Sequence, residues 1–194
     1  MTGKNDDDVL SFAPHLLKKL QEDLNAAKEA QDEIIKGSRL YWQRVQSVHE
    51  AVLLLLGAGN LLQAMALIEN DVARLLGFDA AALLFERLPT DKVNRQTALY
   101  RAIPSAFAST AVFQQESLLV EDGGQLAALF PEQPEAMAMA LLFTLNIQGR
   151  RGLMVLAKRD PQYLATGKAL EPYIFLARCL GHVGKTWFGE QKPE

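Results

Sequence analysis

Cys179 and His182 stand three residues apart near the end of the chain, a spacing that makes them neighbours on one helix surface. A thiol beside an imidazole is the pairing of a cysteine nucleophile. The surrounding stretch supplies no oxyanion donors and no cleft, and a lone buried thiol behaves as a small hydrophobe, so the structural role is the expected one. Paired carboxylates occur as Glu121-Asp122 and as Glu132 with Glu135, neither in an apolar setting that would raise a pKa for acid work. Asp122-Gly123-Gly124, ahead of a short helix, has the outline of an anion nest. Its aspartate repels anions, however, and a turn with an N-cap is expected there instead. His15, His49 and His182 are far apart, and none has ligand spacing with the cysteine. The phosphate-loop and dinucleotide patterns are absent. No catalytic residue, metal or cofactor is assigned.

The basic residues Arg150, Arg151, Lys158 and Arg159 gather at the two ends of one hairpin. A nucleic-acid footprint needs more positive charge with interleaved aromatics, and a net charge of -3 adds no global attraction to nucleic acid or anionic lipid. Solvated turn and edge charges are the expectation. A single cysteine, Cys179, excludes an intrachain disulfide framework and fits a reducing compartment. The polar start, with Asp6, Asp7 and Asp8, does not read as a signal peptide. The densest apolar run, Ala51 to Leu56, is too short to span a bilayer. A soluble, cytoplasmic protein without membrane or nucleic-acid partners is predicted.

The elements that must position these groups follow from periodicity. From Ser11 the pattern is helical, with Pro14 in a first turn. Leu17, Leu20, Leu24, Ala27, Gln31, Ile34, Ser38, Tyr41, Val45, Val48, Val52 and Leu55 step alternately by three and four residues, the a/d spacing of a coiled coil. Gly37-Ser38 is expected to end one helix and cap the next. Gly57-Ala58-Gly59 breaks the run, Asn60 caps a helix from Leu61 to Leu76, and Gly77 stops it. A first strand is predicted over Phe78 to Arg87, a turn at Pro89-Thr90-Asp91, a second strand over Thr97 to Ile103 and a third over Ser117 to Val120. Gln125 to Phe130 reads as a short helix.

Met137, Met139, Leu141, Phe143, Leu145 and Ile147 then alternate with Ala138, Ala140, Leu142, Thr144 and Asn146, predicting a strand with one heavy apolar face on a core. Gln148-Gly149-Arg150-Arg151-Gly152 is expected to reverse the chain into a return strand, Leu153 to Lys158. Asp160-Pro161 turns it again. A closing helix starts near Glu171-Pro172, its stripe formed by Tyr173, Leu176, Ala177, Leu180, Val183, Gly184 and Trp187. With 194 residues, 49% of them hydrophobic and 22% charged, the chain fits one domain with a helical extension. The fold class is α+β, an antiparallel sheet flanked by helices, with residues 1–57 as a helical dimerisation segment and 58–190 as the domain.

In this order the chain resembles a GAF domain, and more closely the GAF-like domain-of-unknown-function family 484 of proteobacteria. The carrying residues are Gly59-Asn60 before Leu61-Leu62, Leu75-Leu76-Gly77-Phe78-Asp79, Leu126-Ala127-Ala128-Leu129-Phe130-Pro131, Gly152-Leu153-Met154-Val155-Leu156-Ala157, Asp160-Pro161-Gln162-Tyr163-Leu164 and Leu176-Ala177-Arg178-Cys179-Leu180-Gly181. The resemblance covers roughly Arg39 to Phe188. It implies a noncatalytic sensory or regulatory module that holds a small molecule between sheet and helices or serves only to dimerise. The family often has a small polar residue where this chain has Met137 to Leu141. The Asn-Lys-Phe-Asp-Glu set of cyclic-nucleotide-binding members is not recognisable, and the bilin-tethering cysteine has no match.

A pocket of the implied kind lies between the sheet and the Gln125 to Phe130 helix, with Tyr100, Arg101, Phe107 and Phe130 as its expected lining. Tyr100 and Arg101 alternate faces, so at most one points inward. Three functions follow in order: a homodimer through its N-terminal and C-terminal helices that senses an unknown small molecule; a protein-interaction adaptor whose pocket is filled by its own side chains; and, last, an enzyme using Cys179 or the Glu121-Asp122 pair.

Overall fold

A computed structural model describes residues 6–87, 101–132, 137–160 and 170–187, with side chains from Leu16 onward. The predicted turn at Pro89 to Asp91, Tyr100 and most of the predicted Thr97 to Ile103 strand lie outside the described residues. The chain divides into two compact units, residues 1–43 and 44–194.

The first unit is helix. It is the leading part of α1, which runs unbroken over Asp6–Leu56. The expected break at Gly37-Ser38 does not occur. A glycine inside a helix costs only about 1 kcal/mol relative to alanine, and the strong helix formers on either side absorb that. Every described side chain from Leu16 to Gln43 is exposed.

The second unit takes the last turns of α1, where Val48, Ala51 and Leu55 are buried. Asn60 then caps α2 (Leu61–Leu67), its side chain accepting from the Gln63 amide at 2.9 Å. The helical path continues through a π turn, Ile68–Val72, into α3, Ala73–Leu75. It ends as expected at Gly77, whose φ of 73° only glycine adopts freely. There the Phe78 amide donates to the Ala73 carbonyl and the Gly77 amide to Arg74, the pair of bonds that closes a helix on a left-handed residue.

Four strands form one antiparallel sheet in the order β1-β4-β3-β2: β1 is Ala80–Phe85, β2 Ser117–Val120, β3 Met139–Ile147 and β4 Arg150–Lys158. Beyond β1 the chain at Arg101 to Ile103 bridges Phe85 in parallel, taking a bond from the Phe85 amide and giving one from the Ile103 amide. Between β1 and β3 lie a 3-10 turn (Ser105–Phe107), α4 (Thr110–Phe113) and α5 (Gly123–Leu129). The closing helix, α6, covers Glu171–Trp187.

The heavy face expected of β3 packs on a core, and the lighter opposite face is buried as well. Met139, Leu141, Phe143, Leu145 and Ile147 pack with Met154 and Leu156 against α1, α2 and α6, through Val48, Leu55, Leu61, Ile68, Tyr173, Leu176 and Leu180. On the opposite face Ala140 and Leu142 join Ala82, Leu84, Leu153 and Val155 under α5. Met137 belongs to this second cluster rather than the first, because it precedes the start of β3 and escapes the strand alternation. Stripe residues of α6 share the core cluster with Val48 and Leu55 of α1. On the outer face the His49 and Phe175 rings sit edge to face at 6.3 Å, and the buried Trp187 indole donates to the Ala58 carbonyl, just past α1, at 3.1 Å.

The hairpin turn is shorter than expected. Only Gln148 and Gly149 have left-handed backbones, φ 53° and 80°, the two-residue loop whose twist matches its strands. Gln148 is held in that conformation by its side-chain amide, which donates to the Lys185 carbonyl of α6 at 3.0 Å. Arg150, Arg151 and Gly152 already belong to β4. Gly152 lies in a row between Phe85 and Leu145, where a β-carbon would come within 2.9 Å of the Phe85 ring and 3.1 Å of the Leu84 carbonyl. Gly152→Ala should therefore lower stability by about 1–3 kcal/mol through overpacking, read as an earlier midpoint in denaturant unfolding.

Candidate functional site

The expected pocket region is a packed layer. Asp122 caps α5, its carboxylate accepting from the Gln125 amide at 2.8 Å, so the Asp122-Gly123-Gly124 stretch is a turn and cap rather than an anion nest. The cap aims Leu126 and Leu129 at the sheet, where they are buried with Val120, Leu142 and Val155. Phe107 is 2% exposed and Phe130 3% exposed within the same cluster.

Arg101 reaches this layer at its edge. Its guanidinium stands 5.9 Å from the centre of the Phe130 ring and 3.6 Å from the Glu69 carboxylate of the π turn. Three of the four expected lining residues thus come together, and Tyr100 lies outside the described residues. What they form is an apolar interior with one cation at its margin. Such a layer can hold an apolar guest only if an aromatic ring moves, because interiors are close-packed.

A concave feature that the sequence reading missed lies on the helical side. An open groove of about 600 Å³ is lined by Glu50, Leu53 and Leu54 of α1 and by Asp71, Arg74 and Leu75 of the π turn and α3. Leu53 is 68% exposed. Asp71 and Arg74 pair at 2.9 Å along its rim. The signal was present in the run Leu53-Leu54-Leu55-Leu56, which holds more leucine than one helix face can bury. The π turn that sets Asp71 beside α1 has no such signature. With an apolar floor and a mixed rim, the groove suits a side-chain contact better than a polar metabolite.

The candidate nucleophile pair, Cys179 and His182, stands one turn apart on α6. Cys179 is half-buried on α6, and burial pushes its thiol pKa up, opposite to what a thiolate nucleophile needs. His182 is exposed. Glu121 and Asp122 are exposed, and Asp122 is spent on its cap. Among the described residues no three His, Cys, Asp or Glu side chains gather as a metal group, and no helix is long and apolar enough to cross a membrane.

The basic residues of the hairpin serve the fold. Arg151 makes a two-bonded pair with Glu86, one bond at 2.8 Å, and its guanidinium lies 4.9 Å from the Phe113 ring centre. Those guanidinium bonds hold the Glu86 carboxyl below its ordinary range. Lys158 donates to the Gly77 carbonyl at 2.8 Å and faces Asp79 at 3.5 Å. Asp79 in turn accepts from the Arg159 amide at 2.9 Å. That backbone bond first, then the Lys158 charge, lowers the Asp79 pKa despite partial desolvation. The cluster thereby ties the start of β1 to the end of β4.

The chain matches no protein-family model and none of the curated proteins.

Two measurements follow from these environments. A carboxyl whose pKa is lowered by folding contributes stability above its unfolded value, about 3.9, and loses it as pH falls through the folded value. Asp79→Asn should cost about 1 kcal/mol at pH 7, a charge-assisted bond discounted for its partial exposure. The gap to the native protein should close below about pH 4 in acid-range urea titrations. Alkylation of Cys179 by iodoacetamide should run slower than that of free cysteine at pH 8 and keep rising above pH 9. A thiolate already formed at neutral pH would contradict the structural role of this residue.

Proposed function

We propose that the chain is a noncatalytic regulatory module of GAF-like type that works as a homodimer through α1. The observation that carries this reading is the set of exposed apolar residues Leu17, Leu20, Leu24, Ile34 and Tyr41 at a/d positions, with Leu17 66% and Ile34 72% exposed. Monomeric proteins rarely leave a continuous apolar stripe in water, and a helix with this spacing buries it against another helix. The further positions Val48 and Leu55 are buried within the second unit, so the unsatisfied part of the stripe ends near Tyr41. The stripe of α6 is occupied within its own unit, and that helix enters the dimer only through its outer face, where Phe175 stays exposed.

In this reading a small, largely apolar molecule enters the layer between the sheet and α5, beside Arg101. A second reading, the adaptor with a self-filled layer, is favoured by one observation, the near-complete burial of Phe107 and Phe130. In both readings the output is a contact between proteins rather than a reaction.

Light scattering of the purified chain at micromolar concentration should give the mass of two chains. Leu20→Glu with Ile34→Glu, two positions exposed in the single chain, should raise the dissociation constant at least about a hundredfold by burying charge in an apolar seam, with circular dichroism unchanged. A native protein of monomeric mass would refute the dimer. Native mass spectrometry separates the two readings: retained extra mass supports sensing, and two bare chains support the adaptor.

A further inference from the structure

We infer that α1 pairs with α1 of a second copy in parallel and in register over residues 16–42, a geometry that rests on the homodimer reading above. With Leu17 as a heptad a position, the exposed large apolar residues of the first unit are Leu16, Leu17, Leu20, Leu24, Ile34, Ile35, Leu40, Tyr41 and Trp42. All but Leu40 fall at g, a, d or e, the positions that face a partner helix. The apolar surface is therefore a strip along one side of the helix, as wide as a two-stranded seam and its flanks.

The flanking positions decide the direction. In a parallel pair each g residue faces the e residue five positions later on the other chain. Asp23 at g then faces Lys28 of the partner subunit at e. Leu16 faces the partner's Gln21, Ala30 the partner's Ile35 and Gly37 the partner's Trp42. Of these four contacts one is an ion pair, two set a small residue against a large apolar one, and Leu16 with Gln21 favours neither direction. An antiparallel pair matches g with g and e with e. Within the exposed segment the g residues are Leu16, Asp23, Ala30 and Gly37, and the e residues Gln21, Lys28, Ile35 and Trp42. No register of that kind gives Asp23 a cation or Lys28 an anion.

Three further residues fit the parallel arrangement. Gly37 weakens the helix it sits in, and nothing of its own chain comes within 4 Å of where its β-carbon would be. The fold of the single chain does not require a glycine there. The indole of the partner's Trp42 covers that position in the parallel pair, and the missing side chain makes room for it. Gln31 and Ser38 are the polar residues at a; in register each meets its own copy in the partner subunit, and two Gln31 side-chain amides bond to each other. Polar a positions of this kind penalise slipped registers.

The test uses the full chain with Cys179→Ser and one new cysteine, Leu20→Cys or Ile34→Cys, oxidised with glutathione disulfide. Parallel in-register helices bring each d position beside itself, within disulfide reach, so both variants should yield covalent dimers on non-reducing gels. An antiparallel pair crosses at one point and satisfies at most one of them. A dimeric mass with either variant failing to cross-link overturns the parallel register and leaves the dimer standing. A monomeric mass by light scattering overturns the dimer and the register together. Asp23→Lys should weaken the dimer about tenfold by placing like charges opposite each other twice, and adding Lys28→Asp should restore affinity to within about twofold. Failure of that swap to restore it overturns the assigned facing pairs.

Discussion

The central hairpin of β3 and β4 is apolar on both faces, and the rest of the second unit is arranged to cover it. Met139, Leu141 and Phe143 on one side and Ala140 and Leu142 on the other are all buried. A sheet with two apolar faces is stable only when both are removed from water. The helical ends of the chain, α1 with α2 and α6, take the heavier face, while α5 and the 3-10 turn take the lighter one. At about 25 cal/mol per Å² of apolar surface, covering two faces is the dominant favourable contribution to this fold. The polar clusters at its edges, Arg151 with Glu86 and Lys158 with Asp79, align the strands that the burial brings together.

This constraint also explains why the expected pocket region is a packed layer. Residues whose side chains complete the second face, Phe107 and Phe130 among them, are held by the same close packing that excludes water. The polar groups that could act, Cys179, Glu121 and Asp122, lie on helix surfaces or at a cap. The exposed apolar surface among the described residues includes the strip along α1 and the groove beside Leu53. Both are surfaces for contact, and the proposed role follows from that.

Where side-chain alternation or a cap decided the local structure, the sequence was legible. The helix stop at Gly77, the caps at Asn60 and Asp122, strands β2 to β4 and the closing helix could all be read from it. Phe107 and Phe130 share one buried cluster, and Arg101 lies beside the Phe130 ring. The break expected at Gly37 and the long turn expected through Gly152 failed for a shared reason. Glycine has several uses, and sequence does not say which applies. Gly37 stays helical because its neighbours favour helix, whereas Gly152 stays extended because it pairs in the sheet between Phe85 and Leu145. Of the groove beside Leu53 only the leucine run on α1 is marked in the sequence, since its other wall depends on a π turn with no periodic mark.

By itself the sequence determined the period of each segment, and thereby the α+β class, the antiparallel hairpin and the presence of an a/d stripe, because those depend on neighbours a few residues away. Tertiary structure alone decided which part of that stripe is already occupied. Val48 and Leu55 are buried by residues distant in the chain, and Leu17 to Tyr41 are not. The heptad spacing is the same in both stretches. Burial is a property of what comes from elsewhere in the chain, and only the folded arrangement separates the stretch of helix that is already packed from the stretch that is exposed.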